Sequence, residues 1–70
     1  MIACYYNVGK AIRRAQAIAD VDDKWLANVA SSTPEEVREW REQEDMKVSR
    51  VTQLSAIFNM SVDDFLKLGR

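Results

Sequence analysis

The chain has 70 residues, 47% hydrophobic and 30% charged, the make-up of one small globular domain that buries only about 60% of its unfolded surface. With no His and a single Cys, Cys4, it lacks the inventory for a dedicated metal site or an internal disulfide. No apolar run approaches the roughly 18 residues of a membrane span, and the head Met1-Ile-Ala-Cys-Tyr-Tyr6 is too short for a signal peptide, so the expectation is a cytoplasmic protein. Ten Lys and Arg against eleven Asp and Glu leave a net charge of −1, so any attraction to nucleic acid has to come from a local basic face.

There are no internal repeats and little strand-like alternation, and Gly and Pro are few. The pattern predicts an all-α chain of five helices. The first starts at the N-cap Asn7 and runs to Ala19, with Val8, Ile12, Ala15 and Ala19 on one face. Lys10, Arg13 and Arg14 lie largely off that face. Asp20-Val-Asp-Asp23 is a break whose acids suit a helix N-terminus, and a second helix covers Asp22 to Val29.

Thr33-Pro34-Glu35-Glu36 is the clearest local signal. Thr33 caps, Pro34 takes the first helical position, and Glu36 completes a capping box. The third helix runs from Pro34 to about Glu42, with Val37 and Trp40 pointing the same way. After a polar loop, Asp45 is placed to cap a fourth helix that buries Val51, Leu54 and Phe58. Asn59 suits the left-handed end of that helix. Ser61-Val-Asp-Asp64 opens a fifth helix carrying Phe65 and Leu66, and Gly69 ends it.

The stretch from Trp25 to Trp40 has the layout of a helix-turn-helix: two short helices, a tight polar turn at Ser31-Ser32-Thr33, and a strongly capped second helix. Such a unit presents its second helix to a partner, most often the major groove of DNA.

Four motifs in register carry a resemblance. They are Val8-Gly-Lys-Ala-Ile-Arg13, Leu26-Ala27, Val37-Arg-Glu-Trp40 and Met60-Ser-Val-Asp-Asp-Phe-Leu66. Together they resemble the lambda-repressor-like, Cro/C1-type helix-turn-helix regulators over residues 8 to 68. The resemblance implies a five-helix lambda-repressor-like domain and a small sequence-specific transcriptional regulator, without cofactors, that occupies an operator in double-stranded DNA. It also implies that the groove-facing positions are Pro34, Glu35, Glu36 and Glu39, with Arg38 beside them.

Three departures stand against that pattern. Ser31 replaces the Gly usual in the turn. Asp23 stands where many members have a phosphate-touching Gln. Gln16 and Arg41 occupy the positions of a buried Arg–Glu pair, so that pair is expected to be absent.

Basic residues around the third helix, among them Lys10, Lys24, Arg41, Lys47 and Arg50, are the candidate phosphate contacts, joined by Arg38. The competing reading is ordinary surface charge paired with nearby acids. The acid pairs Asp22-Asp23, Glu35-Glu36 and Asp63-Asp64 sit near predicted helix starts, where the dipole explains them. Trp40 is expected in the core. Trp25 is expected at the surface, where it either packs on Tyr5 or Tyr6 or marks a partner contact. The apolar head has three roles open to it: extending the first helix, covering Trp25, or joining a dimer interface.

A homodimer is expected because one module this small contacts few base pairs. With no dimerisation strand in view after the last helix, its surface falls to the fifth helix, around Phe65 and Leu68, or to the head with Tyr5. No His, glycine-rich phosphate loop or activated nucleophile is present, so an enzyme is not expected. The alternative function is a helix-turn-helix turned to binding another regulatory protein, as an antirepressor or inhibitor. It is favoured by the acidic third helix, Asp23 and Trp25.

Overall fold

The computed structural model describes residues 6–70, and within them the chain is all-helical, with no strand. The five helices are α1 (Val8–Ala19), α2 (Asp23–Val29), α3 (Pro34–Glu42), α4 (Val48–Ile57) and α5 (Val62–Lys67). None is long and apolar enough to cross a membrane. Cys4 and Tyr5, with the roles expected of the apolar head before Tyr6, lie outside the described residues.

Four of the five helices start on a side chain that accepts a backbone N–H. Asn7 accepts from Lys10, Asp22 from Trp25, Thr33 from Glu36 and Ser61 from Asp64. The exception is α4, whose N-cap is Lys47 and has no side-chain cap. Asp45 does not reach it, because its carboxylate turns back to accept from Met46 N at 2.8 Å.

Three helices end on a left-handed residue that is not glycine: Asp20 (φ 57°), Ser31 (φ 56°) and Asn59 (φ 59°). Each end is closed by a pair of backbone hydrogen bonds. After α2 they run from Ser31 N to Asn28 O (3.3 Å) and from Ser32 N to Ala27 O (2.8 Å). The turn departure at Ser31 is therefore met by strain, about 1 kcal/mol relative to Gly, and not by a different turn. Asp20, expected to favour the start of α2, instead closes α1.

The glycines serve close approach. Gly9 N donates to Gln43 O at 2.8 Å, and a Cβ on Gly9 would come within 2.6 Å of that oxygen. The first turn of α1 thus sits against the end of α3. A Cβ on Gly69 would likewise strike the Asn7 backbone, to which Gly69 O is bound at 2.9 Å.

Packing follows from the apolar stripes. α1 packs against α3 and α5, α2 against α3, and α4 against α5. Phe65, Ile12, Leu26, Leu54 and Val37 are the largest fully buried side chains. Burial of each stabilises the fold by about 1.5–3 kcal/mol. Trp40 is buried as expected. Phe58 is only half-buried, because it bridges from the core to the surface, with its ring 6.3 Å from Phe65 and 6.5 Å from Trp25.

Candidate functional site

The third helix is held from beneath and open above. Val37 and Trp40 face the core, while Glu35, Glu36, Arg38, Glu39 and Glu42 are exposed and Pro34 is half-buried. Its start is rigid. Thr33 Oγ1 accepts from Glu36 N at 3.2 Å, and the Glu36 carboxylate accepts from Thr33 N at 2.9 Å. Glu36 is thereby committed to the cap. Glu35 and Glu39 remain on the outward face, and Arg38 lies 3.7 Å from Glu35 in an exposed pair worth at most about 1 kcal/mol.

Two open grooves flank α3. One, at its N-terminal end, is lined by Pro34, Ser32, Asp22, Lys24, Trp25 and Asn28. The other, at its C-terminal end, is lined by Trp40, Gln43, Asp45, Met46, Lys47 and Arg50. Lys24 therefore stands near one end of α3, and Lys47 with Arg50 near the other. The Arg50 guanidinium lies 4.4 Å from the centroid of the Trp40 ring and donates to Gln53 Oε1 at 2.6 Å. Stacking on an aromatic face orients the cation without cancelling its charge.

Three further basic residues, Lys10, Arg13 and Arg14, are engaged within the fold. Lys10 Nζ donates to Arg70 O at 2.8 Å, along the seam between α1 and the end of the chain. Arg14 donates to Leu68 O at 3.0 Å. Arg13 donates to Arg41 O at 2.8 Å and pairs with Glu42 at 3.3 Å. Arg13 and Arg14 satisfy carbonyls at the ends of α3 and α5, where the helix dipole favours positive charge. Lys10, expected as a phosphate contact beside α3, is placed away from both flanking grooves.

Arg41 has a partner that the sequence pattern hid. Its Nη1 lies 2.6 Å from Asp23 Oδ1, and Gln16 Nε2 donates to the same oxygen at 2.9 Å. The pair expected to be absent at positions 16 and 41 is thus replaced, with the carboxylate supplied from α2. The Gln16 amide, helped by the Arg41 guanidinium and against partial desolvation, holds the Asp23 carboxyl below its ordinary range. Positions 16, 23 and 41, taken together as one acid and one base displaced, were the signal available in the sequence.

One expected contact residue sits elsewhere than foreseen. Phe65 is fully buried with its ring stacked near Phe58, so its side chain is not at a partner surface. Leu68 is half-buried against the core. Trp25 is 40% exposed and packs on Phe58. Tyr6 lines a different groove with Val8, Met46, Val48, Val51 and Leu66. No protein-family model, curated protein or solved structure matches this chain.

Proposed function

We propose that this chain is a helix-turn-helix DNA-binding regulator of lambda-repressor-like type, with α2 and α3 as the motif, acting in the cytoplasm by occupying an operator. The observation that carries the reading is the layout of α3: an outward face free of packing duties, with cations near both ends. A major groove about 12 Å wide admits such a helix, and phosphates border it on both sides. Lys24, Lys47 and Arg50 are the phosphate contacts. Glu35 and Glu39 accept hydrogen bonds from cytosine N4, and Arg38 donates to guanine. Two copies bind a two-fold site. Val48, 78% exposed beside Val51, Val62 and Leu66, supplies an apolar face for that dimer.

Fluorescence anisotropy against duplex from the region upstream of its own gene, and against scrambled duplex, at several salt concentrations, tests this. Sequence-dependent binding with a salt slope of about −0.9 per phosphate engaged supports it. Absence of binding at low salt by folded protein refutes it.

A second reading is favoured by the exposed Trp25 and Val29, which lie one turn apart on α2, beside an acidic α3. In that reading the surface receives another regulatory protein. Trp25→Ala would then abolish capture of that partner while leaving the fold intact, and retained capture would sink the idea.

A further inference from the structure

We propose that Asp23 is a positioning residue that ties α1, α2 and α3 together through one carboxylate oxygen and holds Arg41 away from nucleic-acid phosphate. The phosphate half rests on the DNA-binding reading above.

Asp23 is the first residue of α2, Gln16 belongs to α1 and Arg41 to the last turn of α3. Both partners donate to Asp23 Oδ1, at 2.9 Å and 2.6 Å. Gln16 is only 6% exposed, so its amide depends on this bond. The Arg41 Nε is buried with no acceptor among the described residues, so the guanidinium is drawn to Asp23 even with one donor unmet.

The consequence for binding follows from helix geometry. Arg41 is three residues beyond Arg38, so the two share one side of α3. The Arg41 side chain is already 33% exposed. Released from its counter-ion, it would extend the basic edge that Arg38 begins. Asp23 thus removes one cation from the phosphate-facing edge. Phosphate contacts raise affinity for every sequence alike, so holding one back lowers the overall tightness and salt dependence of binding and leaves the ratio between sequences as it is.

Asp23→Asn, Arg41→Gln and the double variant test this through thermal unfolding and the salt dependence of binding to upstream and scrambled duplex. Each single substitution is expected to lower Tm by several degrees, and the double to lower it no further than the worse single. Asp23→Asn is expected to steepen the salt slope by about 0.9 and to tighten binding to both duplexes alike at low salt, while Arg41→Gln leaves the slope as it is. Additive losses in Tm overturn the cluster. An unchanged slope in Asp23→Asn, with the wild type binding DNA, overturns the withheld cation alone. A wild type that binds no DNA overturns the function reading and the phosphate half with it, while the Tm cycle still decides the cluster. If Asp23→Asn does not fold, Asp23→Ser, which suits a helix's first turn, takes its place with the same expected slope.

Discussion

Two arginines stand at the C-terminal end of the third helix, and the fold treats them in opposite ways. On the α1–α2 side Arg41 meets a carboxylate at 2.6 Å. On the α4 side Arg50 lies 4.4 Å over the Trp40 ring. The first pairing cancels a charge, whereas the second orients one and leaves it intact. A tally of basic residues near α3 therefore overstates what a phosphate would meet. What counts is whether each cation's neighbour is a carboxylate, a carbonyl or a ring.

Several substitutions break or sharpen that contrast. The largest expected effect is from Trp40→Ala, which removes both a buried ring and the platform under Arg50. It should cost about 3–5 kcal/mol in urea unfolding. A loss below about 1 kcal/mol would mean that Trp40 does not pack as described.

Next comes Arg41→Gln, which leaves Asp23 with a weaker donor. Because the pair is only partly buried, a loss of about 1–2 kcal/mol is expected, between the values of surface and buried pairs.

The same pair predicts a pH dependence. The folded Asp23 pKa lies below its unfolded value of 3.8, so the ionised carboxylate stabilises the fold above that pH. The stabilisation is lost as the pH falls through the folded pKa. Wild type and Asp23→Asn should therefore differ in stability at neutral pH and converge under acid, as measured by denaturation from pH 7 downward. A gap that stays constant would contradict the linkage.

Arg50→Ala should cost only about 0.5–1 kcal/mol of stability but flatten the salt slope of DNA binding by about 0.9. That is the opposite balance to Arg41→Gln. Smallest of all is Glu35→Gln, whose exposed pair with Arg38 should change stability by less than about 0.5 kcal/mol, read by thermal melting.

Much of the helical frame was legible because its signals are local. Asn7, Thr33 and Ser61 are polar caps next to apolar periodicity, and caps act within three residues, whereas Asp22, expected inside the second helix, caps it instead. Asn59 was legible for the same reason, and the core positions Val37, Trp40, Val51 and Leu54 followed from their spacing. Asp45 was misread because a carboxylate can accept from its immediate neighbour as readily as from a helix start.

The outward face of α3 was also foreseen, since residues opposite Val37 and Trp40 must point away from the core. The partners of its flanking charges were not. Asp23 and Arg41 are 18 positions apart, and Lys10 and Arg70 are 60 apart. No periodicity links such positions. Phe65 has the apolar character that would suit a subunit contact or a core, and Phe58 and Trp25 each fit several neighbours. Apart from the start of α4, sequence by itself determined where the helices begin, end and turn their apolar stripes, because those choices depend on neighbours a few residues away. Only the tertiary structure decided which cation meets a carboxylate, which meets a ring and which aromatics pack on one another, because those choices depend on how separate helices come together.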